Sequence, residues 1–219
     1  MQRTRWTPIK LDTIEMIKNI IFDFGDIFID LDKEAPYREF RALGLEDSPE
    51  YKQLLQVNLE YETGHVLTEE LISAYQDVLP YASRQQIITA WNSILKTIPK
   101  PRLEFIQQLK RENKYRLFLL SNTNHLHIEE VEKRTPFYTE FKACFEKFYL
   151  SHQIQLRKPN HDIFYYVLKG NQLYPEETLF IDDTEENCVA AKQLKIHTWN
   201  LNPKVDDVRE LFSKNSRLF

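Results

Sequence analysis

Four short stretches of this 219-residue chain carry side chains suited to phosphoryl chemistry. The first is Asp23, near the end of the apolar run NIIFDF. A carboxylate there can act as a nucleophile, bind a metal or simply end a strand. Gly25, two residues on, permits an unusual backbone turn and leaves its carbonyl open to a ligand; the plainer alternative is a tight turn. The second stretch is Ser121-Asn122-Thr123, directly after YRLFLL. Hydroxyl, amide and backbone N–H groups ahead of a helix can cradle a phosphate, and the same residue types also cap helices.

The third is Lys158 in RKPN. A fixed ammonium can neutralise a carboxylate and a phosphate that must meet, although most single loop lysines are only solvated. The fourth is Asp182-Asp183, after TLFI. Adjacent carboxylates repel one another without a cation, and hard oxygen ligands suit Mg²⁺; an acidic turn before a helix is the simpler account. Each simple account stands alone, but four at the carboxyl ends of successive strands do not. Open α/β sheets bind ligands along that edge. A nucleophile, a hydroxyl-amide cradle, a lysine and an acidic pair together suit metal-assisted phosphoryl transfer through an aspartyl phosphate.

The elements that must carry these residues alternate. Apolar runs predict strands over 19–24, 115–120, 147–150, 178–181 and 196–199, with helical spacing between them. That alternation predicts an α/β fold, a Rossmann-like doubly wound parallel sheet. Residues 33–98 change texture and predict helices over 37–43, 49–61, 68–79 and 83–96, the second capped by Ser48 ahead of Pro49. The expected organisation is a discontinuous core (16–32 and 99–219), an inserted all-helical block (33–98) and an N-terminal tail (1–15). The stripe Tyr51, Leu54, Leu55, Asn58 and Tyr61 is expected in the core of that block.

Composition narrows the function. An apolar share of 42%, with 13% aromatic, supplies a core and excludes wholesale disorder. A net charge of −4 without a basic stripe argues against nucleic acid as a partner. No apolar run is long enough for a membrane span, and residues 1–18 lack the apolar segment of a signal peptide. Cys144 and Cys188 form neither a disulfide framework nor a metal spacing, which leads to the expectation of two reduced thiols in a cytoplasmic protein.

The order of an apolar run ending in Asp, a second ending in Ser-Asn, a Lys-Pro and a third ending in Asp-Asp resembles the four motifs of the haloacid dehalogenase superfamily, over residues 17–199. FDFGDIFIDLD, YETGHVLTEEL, AWNSIL, LFLLSNTNHLH, YLSHQIQLRKP and LFIDDTEENCVAAKQL look like the subgroup of bacterial α-glucose-1-phosphate phosphatases and the N-terminal phosphatase domain of soluble epoxide hydrolase. The resemblance implies Asp23 as nucleophile, Ser121 and Asn122 as phosphate ligands, and Lys158 as the charge-steadying lysine. It implies Asp183 as a direct Mg²⁺ ligand with Asp182 beside it, the Gly25 carbonyl as another ligand, and residues 33–98 as a helical cap. The implied activity is Mg²⁺-dependent hydrolysis of a small phosphorylated metabolite such as a sugar phosphate. The rivals are a metal-free 2-haloacid dehalogenase and a binding module that kept the fold.

Most phosphatases of the superfamily carry a second Asp where this chain has Gly25, as general acid; the resembled subgroup often has the same glycine. Such help is typically worth about 10²–10⁴ in rate. Asp26 is a candidate substitute, with a turn-stabilising role favoured, and Asp30 and Asp32 are expected to be structural. Lys195 stands where relatives usually have glycine, before the last strand. His125 and His127 flank the cradle and could reach a substrate, while Trp91 is expected to pack.

Overall fold

The structure, a computed structural model, describes residues 16–46 and 49–219. The expected tail, the Ser48 cap and the Tyr51 side chain lie outside what it describes. Five strands form one parallel sheet: β1 (Asn19–Phe22), β2 (Arg116–Ser121), β3 (Lys147–Leu150), β4 (Thr178–Asp182) and β5 (His197–Asn200), in the order β3-β2-β1-β4-β5. β1 is the central strand and is buried along its whole length, which its unbroken apolar sequence allows. Successive side chains alternate between the two faces. Ile20, Phe22, Leu119 and Ile181 join one core cluster, whereas Ile21, Phe118, Leu120 and Phe180 join the other. Helices α5 (Lys100–Glu112), α6 (His125–Arg134), α7 (Tyr138–Lys142), α8 (Ser151–Ile154), α9 (His161–Asn171), α10 (Glu185–Gln193) and α11 (Leu211–Lys214) complete this α/β unit. The short α7 and α8 escape the periodicity because neither reaches two turns. Cys144 and Cys188 are buried and unbridged.

Between β1 and α5 the chain forms α1 (Ala35–Ala42), α2 (Pro49–Glu62), α3 (Thr68–Val78) and α4 (Arg84–Asn92). α4 starts from a reciprocal cap: Ser83 Oγ accepts from the Gln86 N–H, and the Gln86 side chain accepts from the Ser83 N–H. Phe40, Leu54, Leu71, Tyr75 and Ile87 build a core of their own, which Leu126 of α6 enters. Among the described residues, none of this block adds a strand to the central sheet.

The helix expected over 83–96 ends at Asn92 instead. Residues beyond it run antiparallel to the segment leaving β1: Asp30 N–H donates to the Thr97 carbonyl (3.0 Å), Lys96 N–H to Asp30 (3.0 Å) and Asp32 N–H to Ile94 (2.8 Å). Pairing of the two connections outcompetes another helical turn. Arg102 fixes the first connection through Asp30 (2.8 Å) and holds Asp207 (3.2 Å) with the same guanidinium. Asp32 bonds Arg38 at 2.9 Å, which pulls its carboxyl down to about 2. Lys195 adopts a φ of 66°, the left-handed region a glycine would take without strain.

Candidate active site

The carboxyl edge of the sheet gathers the residues singled out from the sequence. Asp23 follows β1 directly, its N–H donating to the Ile181 carbonyl at 2.8 Å, while Asp182 closes β4. Lys158, only 1% exposed, reaches between them. Its ammonium donates to Asp23 Oδ1 (2.6 Å), Asp182 Oδ2 (2.7 Å) and the Leu120 carbonyl (2.9 Å), satisfying all three N–H bonds. Burial opposes the charge on Lys158, but attraction to Asp182 and Asp23 and the bonds to them win and raise its pKa. Asp23 is pushed up to about 7, chiefly by burial, against the opposing pull of Lys158 and with the help of repulsion from Asp182.

Asp182 is tied on every side. Oδ1 accepts from the Thr184 N–H (2.8 Å) and from Asn187 Nδ2 (3.0 Å), and Oδ2 accepts from Asn187 (3.1 Å) as well as Lys158. Asp183 is placed differently. Its Oδ2 meets the ammonium of Lys33 at 2.6 Å, and Lys33 also reaches Asp26 Oδ2 at 2.9 Å. One carboxylate oxygen from each of Asp23, Asp182 and Asp183 lies within 4.8 Å of the others, a hard-oxygen donor set suited to a divalent cation. Since Asp182 is already saturated, Asp23 and Asp183 are the better placed of the three to hold one.

Asp26 is not among the three clustered carboxylates, although Lys33 bridges it to Asp183. It has a left-handed φ of 56°, and its Oδ1 accepts from the Leu31 N–H at 3.0 Å. With Oδ2 paired to Lys33, its carboxylate stabilises the turn. Gly25 lines the cavity beside Asp23. A Cβ added to it would lie 2.8 Å from Leu31 Cδ1 and 3.9 Å from Asp23 Oδ2, so Leu31 occupies the space of a side chain at position 25.

Ser121 and Asn122 line the same cavity of about 270 Å³ as Asp23, Lys158 and Asp183. The Asn122 amide is engaged with the Lys158 backbone, donating to its carbonyl and accepting from its N–H, both at 2.9 Å. The helix cap falls on Asn124 instead, whose Oδ1 accepts from the His127 N–H at 3.0 Å. Ser151, missed from the sequence, accepts from the Thr123 N–H (2.9 Å) and lies 2.6 Å from the Glu62 carbonyl. It thereby joins the cradle loop to α2. Gly64 lies so near this region that a Cβ there would be 2.1 Å from the His152 carbonyl oxygen. Asn187 was also missed, although its place in the first turn of α10 after an acidic pair was a usable signal.

The two cradle-side histidines separate. His125 is exposed, whereas His127 is tucked against Trp91 with ring centroids 5.6 Å apart. His127 Nδ1 faces Asn124 Nδ2 (3.1 Å) and Nε2 faces the Trp91 carbonyl (3.3 Å), and burial pulls its pKa down to about 4. It is therefore neutral near pH 7, with Nε2 as donor and Nδ1 as acceptor. Trp91 packs as expected, and its indole N–H donates to Asn124 Oδ1 at 3.2 Å. No helix among the described residues is long and apolar enough to cross a membrane.

A parallel α/β sheet with a buried lysine between two aspartates at its carboxyl edge defines a hydrolase class of known architecture. Residues 5–195 match the haloacid dehalogenase-like hydrolases, and the chain belongs to that family. It is 31% identical over 205 residues to the D-ribitol-5-phosphate phosphatase of Bacteroides thetaiotaomicron, covering 90% of this chain and 97% of that protein. It also resembles HAD family enzyme bt-2542 from the same organism, solved with magnesium and inorganic phosphate. That likeness has a TM-score of 0.79 and 36% identity, over 90% of this chain and 99% of that one. A HAD-like family hydrolase from Porphyromonas gingivalis matches with a TM-score of 0.73 and 33% identity, over 84% and 90% of the two chains.

Proposed function

We propose that this enzyme is a Mg²⁺-dependent phosphatase that hydrolyses a small phosphate monoester through an aspartyl phosphate on Asp23. The observation that carries the reading is the Lys158 ammonium held between Asp23 and Asp182, with Asp183 in the same carboxylate cluster. Asp23, Asp183 and the Gly25 carbonyl would hold Mg²⁺, with Asp182 beside them. Bound there, the ion supplies positive charge to the phosphoryl oxygens.

Asp23 must be ionised to attack, and Lys158 keeps a cation beside it where burial alone favours the neutral acid. One Asp23 oxygen bonds to phosphorus as the ester P–O bond breaks; the alcohol departs with that electron pair and takes a proton from solvent. Water then attacks the same phosphorus, releasing Asp23 and inorganic phosphate and giving up a proton to solvent. Ser121 and the Asn122 backbone N–H cradle the phosphoryl group, while the Asn122 side chain acts through its hold on Lys158 and the Thr123 N–H stays with Ser151. Residues 33–98 form a cap over a core of 16–32 and 99–219, excluding water from the site.

The similarity to a phosphatase acting on D-ribitol 5-phosphate supports phosphoryl chemistry here and makes a sugar or polyol phosphate one narrower reading. The test is a panel of phosphate monoesters and 2-haloacids, assayed with Mg²⁺ and with excess chelator. Phosphate release that chelation abolishes is expected. Halide release in chelator would overturn the proposal in favour of a dehalogenase, and a folded protein inert towards both classes would leave a binding module.

A further inference from the structure

Above the catalytic cavity lies a second one, of about 530 Å³, walled by α1, α2 and α4. Lys33, Glu62, Ile94 and His127 line both, so the larger space opens beside the place where the scissile bond must lie. We infer that this cavity receives the alcohol part of the substrate and selects an apolar, aromatic-sized group rather than a polyol. The inference rests on the phosphatase reading and narrows it.

The wall is chiefly carbon. Phe40, Leu45, Leu55, Leu59, Trp91 and Ile94 are among its lining residues. Leu55 and Leu59 are 46% and 42% exposed, an arrangement that wastes apolar surface unless something covers it. The volume falls within the range of small-molecule pockets, about 300–1,000 Å³.

Several polar groups in the lining are already engaged with protein. Asn58 and Tyr75 exchange hydrogen bonds at 3.1 and 3.2 Å. Asn124 is held by Trp91 and His127, and His127 meets the Trp91 carbonyl through its other nitrogen. Glu62 pairs with Arg157 at 3.1 Å through Oε2, and Lys33 with Asp26 at 2.9 Å. A chain of hydroxyls would lose its water and find few buried partners uncommitted, at a cost for each unpaired group. An alkyl-aryl chain loses nothing of the kind and covers Leu55 and Leu59.

The experiment compares three primary alkyl esters, 3-phenylpropyl phosphate, ethyl phosphate and D-ribitol 5-phosphate, with the full chain and saturating Mg²⁺; the first two have closely matched leaving groups, and the vicinal hydroxyl of the third favours its departure, a bias against the inference. The inference expects kcat/KM for the phenylpropyl ester to exceed both others by at least about tenfold, the scale on which a hydrophobic pocket discriminates. Leu59→Asn, at a half-exposed position whose replacement spares the core, should cut the phenylpropyl-to-ethyl ratio at least about threefold. Hydrolysis of ethyl phosphate and D-ribitol 5-phosphate with no advantage for the phenylpropyl ester would overturn the cavity assignment and leave the phosphatase reading standing. If no ester is hydrolysed, the phosphatase reading fails, and calorimetric titration with 3-phenylpropan-1-ol and with ribitol decides the cavity. Saturable heat from the aromatic alcohol alone, weakened in Leu59→Asn, supports it; no heat from that alcohol overturns it.

Discussion

Asn122 grips Lys158 with both ends of its side-chain amide, donating to the lysine's carbonyl and accepting from its N–H, each at 2.9 Å. The loop after β2 thereby fixes the backbone from which the Lys158 ammonium extends. Asn122→Ala removes both bonds and leaves two partly buried backbone groups unpaired. The unfolding free energy should fall by about 1–3 kcal/mol. The kcat should fall by roughly tenfold, a loss of about 1.4 kcal/mol in transition-state stabilisation, with a smaller change in KM. Urea unfolding and steady-state kinetics on the same preparation check both; unchanged kcat would show that Lys158 needs no such support.

Lys33 competes for the metal site. Its ammonium bonds Asp183 Oδ2 at 2.6 Å, a carboxylate that would hold Mg²⁺. Lys33→Met should therefore tighten Mg²⁺ binding by a few-fold, since one cation no longer has to leave before another arrives; a coupling of 1 kcal/mol corresponds to about fivefold. Calorimetric titration of the substrate-free protein reads this directly. Weaker binding in the variant would mean that Lys33 orders Asp183 for the metal.

In the proposed mechanism Gly25 would leave the departing oxygen without a carboxyl acid, while the Asp26 oxygens meet the Leu31 N–H and Lys33. A plot of log rate against leaving-group pKa, for phenyl and alkyl phosphates with chemistry limiting, should slope steeply downward. Gly25→Asp alone drives its Cβ to 2.8 Å from Leu31 Cδ1, so it is best tested together with Leu31→Ala. The double variant should flatten the slope if its new carboxyl reaches the leaving oxygen. A flat slope in the unmodified enzyme would show that another group supplies the proton.

His127 couples the loop after β2 to Trp91 in its neutral form, with burial pulling its pKa down to about 4 from the ordinary imidazole value of about 6.5. Between these pH values the unfolded chain binds the proton and the folded one does not, so stability is full above about 6.5 and falls as pH drops. The expected loss from this group between pH 7 and 5 is at most roughly 2 kcal/mol. His127→Phe keeps a ring against Trp91 but cannot titrate, so its urea midpoint should depend less on pH over that range. Equal pH dependence in the two proteins would contradict the assignment.

Much of this arrangement was legible because its signals are local. Apolar runs closed by Asp23, Ser121 and Asp182 marked β1, β2 and β4, and parallel strands necessarily bring such ends to one edge. What escaped depends on contacts distant in sequence. Nothing near Lys33 announces Asp183, 150 positions away, and the early end of α4 at Asn92 follows from pairing with residues 30–32. Ser121, Asn122 and Asn124 are all good capping types, and the Asn122–Lys158 bonds leave the cap to Asn124. Lys195 was noted as a departure from glycine, and its φ of 66° locates the consequence in a single turn.

The most direct test of the mechanism is turnover by Asp23→Asn under saturating Mg²⁺, with folding verified by the unfolding transition. An amide cannot form the aspartyl phosphate, and loss of a covalent nucleophile in another hydrolase cost about 10⁶ in kcat. A folded Asp23→Asn protein with turnover reduced by at least about 10⁴ is the predicted result. Substantial turnover by that folded protein would contradict the assignment of Asp23 as nucleophile.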